Sequence, residues 1–139
     1  PSERHLGEAL RGLTRSQPLV AVGQTHLMGL ACLIRRCQVF VAHDSAPMHI
    51  ATAMGTPTIS LFGPTDPARH LAPSSRIRAV KKDVFCSPCY STWCRTITHA
   101  CMQRISIEDV LQAIGDCGLR IANVGKSNPK SKIQNPQLR

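Results

Sequence analysis

Apolar positions recur three and four residues apart over residues 3–15, where Leu6, Ala9, Leu10 and Leu13 predict one face of a helix. Pro18 ends that pattern, and Leu19-Val20-Ala21-Val22 is a short unbroken apolar run of the kind a buried strand uses. Gly23-Gln24-Thr25 turns the chain. His26 to Arg36 is again helical in pattern, with Leu27, Leu30, Ala31 and Ile34 on one face and Arg35-Arg36 at the dipole-favoured end. Val39-Phe40-Val41-Ala42 predicts a second strand. A polar turn, His43-Asp44-Ser45, leads into a helix from Ala46 to Met54, with Gly55 at its C′ position and Pro57 beyond. Thr58 to Phe62 predicts a third strand, closed by Gly63-Pro64-Thr65-Asp66-Pro67.

The alternation of strand and helix, with short connections and near-continuous apolar strands, predicts an α/β fold with a parallel, Rossmann-like sheet. Ile77-Arg78-Ala79-Val80 is a candidate further strand, and a cysteine-containing loop follows from about Lys81 to Gln103. Ser106-Ile107-Glu108-Asp109 has the form of a capping box opening a helix to about Ile114, with Val110, Leu111 and Ile114 turned inward. Met48 and Met54 are expected to fill the core rather than touch a ligand. Residues 1–117 are expected to be one domain. Residues 118–139 are polar, rich in Asn, Pro, Lys and Ser, and are expected to be a disordered basic tail.

Composition narrows the classes. The chain has 139 residues, enough for one core, and no apolar stretch approaches the roughly 20 residues that span a bilayer. No secretory signal is visible, and a start at Pro1 without Met reads as a fragment or a processed product. The formal charge is +9, a balance that often accompanies nucleic acid, anionic membrane or phosphorylated substrates. Five basic residues and no acid fall after Gly118, and without them the body carries 12 basic against eight acidic residues, only +4. Seven cysteines are too sparse for a disulfide scaffold, and an odd number without a secretory signal points to a reducing, cytoplasmic setting.

Two loops could carry chemistry. In an open α/β sheet ligands bind beyond the carboxyl ends of the strands, and His43-Asp44-Ser45-Ala46-Pro47-Met48-His49 is placed there. Ser45 is a candidate N-cap, and Pro47 fits the first turn because its missing N–H would have no helical partner. The remaining N–H groups of such a turn favour an anion, while Asp44 suits sugar hydroxyls rather than phosphate. His49, four residues after Ser45, lies along the same edge. The second loop offers Gly63 for close approach, Thr65 for its hydroxyl and N–H, and Asp66. Residues of these types are also common in ordinary turns, so the loops alone leave both readings open.

Together, from Val39 to Pro67, these segments resemble the signature of glycosyltransferase family 9, the heptosyltransferases. That family carries an aspartate–Ser/Thr–Gly/Ala–x–x–His turn, a helix, a strand and a Gly-Pro-Thr-Asp-Pro loop. The likeness runs from about residue 19 to 115, through Gly23-Gln24-Thr25 and on to Cys101-Met102. It implies a GT-B architecture whose C-terminal domain holds a nucleotide sugar. It further implies transfer of heptose from ADP-heptose to the lipopolysaccharide inner core, with inversion at the sugar carbon. Asp44 would bond sugar hydroxyls, and Ser45, Ala46 and Pro47 would line the diphosphate turn. His49 would orient that turn, and Gly63, Thr65 and Asp66 would border the donor. Ala46 stands where glycine is frequent and His43 where asparagine is frequent, departures that bear on donor choice. The family's acceptor domain, with its catalytic base, has no counterpart in these residues, so no catalytic residue is assigned and no cofactor is implied. The acceptor, lipid A–core, would be held by that other domain.

Cys86, Cys89, Cys94 and Cys101, with His99 between the last two, are spaced so that four could ligate zinc. With the basic tail this offers a different reading, a small zinc-stabilised nucleic-acid-binding module. The alternatives are plain thiols in a loop of the transferase, which needs no metal and expects no nucleic acid, and a tail that is solvated or touches a membrane surface near a lipid-anchored acceptor.

Overall fold

The computed structural model describes residues 3–71 and 76–119. The element order is α1 (Arg4–Leu13), α2 (Leu27–Arg36), β1 (Phe40–His43), α3 (Ala46–Ala53), β2 (Thr58–Phe62), α4 (Pro67–His70), β3 (Ile77–Lys81), α5 (Ala100–Gln103) and α6 (Ile107–Asp116). Three strands form a parallel sheet in the order β1-β2-β3. The α/β class and the parallel pairing are as the alternating pattern predicts. No helix is long and apolar enough to cross a membrane among the described residues.

The central strand explains the core. Thr58, Ile59, Ser60 and Phe62 of β2 are fully buried, because helices cover both faces of the strand. On one face Ser60 donates its hydroxyl to Met48 Sδ of α3 at 2.8 Å. On the other, Ile59 packs with Val80 of β3 and with Ala113 and Ile114 of α6, flanked by Leu61, Val110 and Leu111. The polar side chains in this core are satisfied locally: Thr58 donates to the Thr56 carbonyl, and Thr56 to that of Ile34 on α2. Met48 is core as expected. Met54 is not, since it follows α3 as its C-cap and is 39% exposed. Gly55, with φ +70°, makes the left-handed exit that the sequence placed there.

The apolar run Leu19–Val22 is not a strand. Ala21 accepts the Gln24 N–H and Val20 the Gln24 side-chain amide, so a local turn takes the carbonyls that a ladder would need. The run lies against α1 instead. A Cβ on Gly7 would stand 2.9 Å from Val20 Cγ1, so only glycine admits this approach. The further strand at Ile77–Val80 does form, as β3. Helix α1 exists as predicted but buries none of its residues; Leu6, Leu10 and Leu13 are 48%, 62% and 70% exposed. Leu27 on α2 is likewise exposed, while Ala31 and Ile34 carry that helix's contact. The capping box is present in full, Asp109 N–H to Ser106 Oγ and Ser106 N–H to Asp109 Oδ2. The loop from Lys81 holds one short helix, α5. Of the predicted basic tail, residues 120–139 lie outside the described residues.

Candidate functional site

Parallel pairing brings the two predicted loops together. His43 of β1 is in register with Leu61 of β2, and Asp44 extends the ladder by one bond, its N–H on the Leu61 carbonyl at 3.2 Å. The chain then leaves β1 through Ser45 into α3, and leaves β2 through Gly63 to Asp66 into α4. Both exits are at the carboxyl edge of the sheet, where such sheets bind ligands.

Ser45 occupies the N-cap position of α3, but its side chain does not cap. Its hydroxyl donates to the His43 carbonyl at 3.2 Å, while the Met48 N–H bonds the Ser45 carbonyl at 3.0 Å. Pro47 brings no N–H, which leaves Ala46 as the first-turn donor that the helix does not use. The first turn of α3 therefore presents few free N–H groups. The His49 side chain, on α3, is exposed.

Asp44 is mostly covered, its side chain 15% exposed, and its Oδ2 lies 3.4 Å from Nδ1 of His70 at the end of α4. This contact ties the first loop to the second. His70 stacks on Tyr90, with ring centroids 6.3 Å apart, and the Arg69 guanidinium lies 5.7 Å from the same ring. The second loop is held from the far side by the cysteine segment. Ser87 Oγ donates to the Gly63 carbonyl at 2.6 Å, and the N–H groups of Cys89 and Tyr90 both donate to the Pro64 carbonyl at 2.9 Å. Gly63 does admit a close approach, but by the chain's own Met102: a Cβ there would stand 2.6 Å from its sulfur. Asp66 caps α4 through the Ala68 N–H. Thr65 Oγ1 is buried and has no hydrogen-bond partner among the described residues.

His70, Tyr90, Arg69 and Ser87 carry no signal in the linear pattern, and Met102 entered only as the end of the family likeness. Arg69 and His70 lie on the short helix just after the second loop, His70 being 26 positions from Asp44, while Ser87, Tyr90 and Met102 reach the site from the cysteine segment. The cysteines are free thiols, and among the described residues no three His, Cys, Asp or Glu side chains come together to hold a metal ion. Cys86, Cys89, Cys94 and Cys101 therefore do not form the tetrahedral set that a zinc module requires.

The sequence profile of glycosyltransferase family 9 (heptosyltransferase) matches residues 2–98, which include both loops and the segment that braces them. The chain belongs to this family. Among curated relatives, it is 32% identical over 93 residues to lipooligosaccharide heptosyltransferase 2 of Campylobacter jejuni, a match covering 66% of this chain and 29% of the relative. It is 47% identical over 53 residues to an Escherichia coli lipopolysaccharide heptosyltransferase 3, covering 37% and 16%. It is 37% identical over 71 residues to the lipopolysaccharide core heptosyltransferase OpsX of Haemophilus influenzae, covering 50% and 20%. The chain thus spans less than a third of the length of these family 9 relatives. No solved structure matches it.

Proposed function

We propose that residues 1–117 of this family 9 chain are the donor-holding part of a heptosyltransferase of GT-B architecture. The donor is ADP-heptose, and the reaction is transfer of heptose to the lipopolysaccharide inner core. The observation that carries the reading is the joining of the two sheet-edge loops by Asp44 and His70, beside the open first turn of α3. The heptosyltransferase names of the relatives point to the same chemistry.

Each group then has a task. Attack by an acceptor hydroxyl at the anomeric carbon inverts it and drives negative charge onto the departing diphosphate. The N-terminal end of α3 lies where that charge would build, offering the Ala46 N–H and the positive end of the helix dipole. Asp44 accepts hydrogen bonds from the sugar, and His70 keeps its carboxylate turned across the gap. The Thr65 hydroxyl finds its missing partner in the donor. We assign no general base among the described residues of these loops, and place that role in the part of the enzyme that holds lipid A–core. Donor and lipid-anchored acceptor meet at the cytoplasmic face of the inner membrane, which makes the protein cytoplasmic with a peripheral membrane contact, the basic tail after Gly118 being suited to the anionic surface.

The test is titration of the chain with ADP-heptose, followed through backbone amide shifts. Saturable one-to-one shifts centred on Asp44, Ala46 and Thr65 are expected. Shifts elsewhere, or none at millimolar donor, would overturn the reading.

A further inference from the structure

Donor binding leaves the four clustered cysteines without a task. Cys86, Cys89, Cys94 and Cys101 nevertheless line one cavity of about 170 Å³, walled otherwise by groups such as Trp93 and Met102. One sulfur in it differs from the rest. Cys94 Sγ receives the His99 N–H at 3.3 Å and lies 3.4 Å from the Thr96 hydroxyl, which is itself 3.0 Å from that of Thr98.

The backbone is bent to make this possible. Ile97 and His99 have φ of 62° and 46°, a region that disfavours side chains with a Cβ and a β-branched one most of all. Ile97 is 81% exposed, so burial of its side chain does not offset the strain. What the turn accomplishes is to wrap Thr96 and His99 around one sulfur. The donors favour the ionised form: the Thr96 hydroxyl first, then the His99 N–H, bring the Cys94 thiol down to about 7. The other titratable groups around the cavity are Arg95, His99 and the three remaining thiols. Positive charge on Arg95 or His99 acts in the same direction as the donors.

We propose that Cys94 is a peroxide-reactive nucleophile and that its cavity is a thiol–disulfide switch. The Cys94 thiolate attacks a peroxide oxygen, the O–O bond breaks, Cys94 becomes a sulfenic acid, and hydroxide leaves to be protonated to water. A second cavity cysteine then attacks the oxidised sulfur; an S–S bond forms, the S–O bond breaks, and a second water departs with that thiol's proton. Two thiols and one hydrogen peroxide thus become one disulfide and two waters. The resolving thiol comes from Cys86, Cys89 or Cys101, which line the same cavity.

The test uses the reduced 139-residue chain, hydrogen peroxide, and peptide mapping with and without a sulfenic-acid trap. Expected results are trapping at Cys94, and without the trap an intramolecular disulfide joining Cys94 to another cavity cysteine. Cys94→Ser should abolish both. Thr96→Val retains the thiol and keeps the proposal testable if Cys94→Ser does not fold; it should slow alkylation of Cys94 about fivefold at pH 7 and move the pH midpoint of that reaction upward. Similar peroxide reactivity at all seven cysteines, a disulfide that survives Cys94→Ser, or one equivalent of zinc protecting the cluster would each overturn it. None of these readouts involves a nucleotide sugar, so the result is independent of the donor reading.

Discussion

Asp44 and Gly63 show how differently two residues of one signature act. Asp44 is held by a contact from outside its own loop, and its carboxylate bridges to His70 at 3.4 Å. Asp44→Asn preserves the shape but halves the accepting capacity and removes the charge. We expect at least tenfold weaker ADP-heptose binding by calorimetry, the scale of one lost hydrogen bond to a charged group, ~1.5 kcal/mol or more. Thermal stability should change little, because Asn keeps the shape and can still accept a hydrogen bond from the half-buried His70. Gly63 is a packing requirement. Gly63→Ala forces a Cβ onto Met102, whose thioether must move aside, at a cost of about 1 kcal/mol. The same substitution in a Met102→Ala background should cost measurably less, a non-additivity that a double-mutant cycle in thermal unfolding will read. Equal costs in the two backgrounds would show that Met102 is not what Gly63 accommodates.

Among the elements, α6 is the one whose start is most strongly encoded. Both reciprocal bonds of its capping box form, and Ser106→Ala should destabilise the chain by about 1 kcal/mol in denaturant unfolding. Asp109 also carries the 2.7 Å bond to Lys82, which follows β3, so one carboxylate joins the start of the helix to the end of the strand it packs against. That bond first, and the Ser106 N–H second, hold the Asp109 carboxyl down to about 2 from an ordinary value of 3.8. A lowered folded value means that the unfolded chain takes up the proton first. The stabilisation is therefore complete above about pH 5, declines as the pH falls through the unfolded value, and is gone below about pH 2. Asp109→Asn should flatten the stability profile over that window while altering it little in shape above it. An unchanged acid limb in the variant would refute the assignment. Helix α1 is the opposite case: its periodicity is clear, yet its leucines remain exposed, because a helical pattern specifies a face but not what covers it.

For the molecule as a whole, the sheet is small and its chemistry is concentrated at one edge. Both loops, the α3 N-terminus and the cysteine segment meet there, at one edge of the three-stranded sheet. On the reading proposed above, the groups at that edge bind and orient a donor, and none among the described residues is assigned as a base for an acceptor hydroxyl. Purified chain should therefore bind ADP-heptose yet release no ADP from it when supplied with lipid acceptor, measured by a coupled nucleotide assay. Turnover at a rate comparable to a two-domain heptosyltransferase would mean that a base lies within these residues. Family membership was readable in the segment from Val39 to Pro67, where local turn chemistry and helix punctuation coincide with strand ends, and the same segment carries the loops proposed as the site.

Local rules determined much of this protein from its sequence alone. Thr58 to Phe62 read as a strand, Gly55 marked a helix exit, and Ser106 to Asp109 spelled out a cap, because each depends on neighbours a few residues away. The three-dimensional structure decided the rest. Leu19 to Val22 had the composition of a strand but lost its carbonyls to a nearby glutamine. The Ser45 hydroxyl turned from its helix to the His43 carbonyl, and Asp44 found His70 26 positions away. Four cysteines with the spacing of a metal site came to line a cavity without forming one. The first two are local side-chain and turn hydrogen bonds that compete with a ladder or a cap, which periodicity does not register; the last two are set by which distant segments pack together, and periodicity along a chain carries no record of that choice.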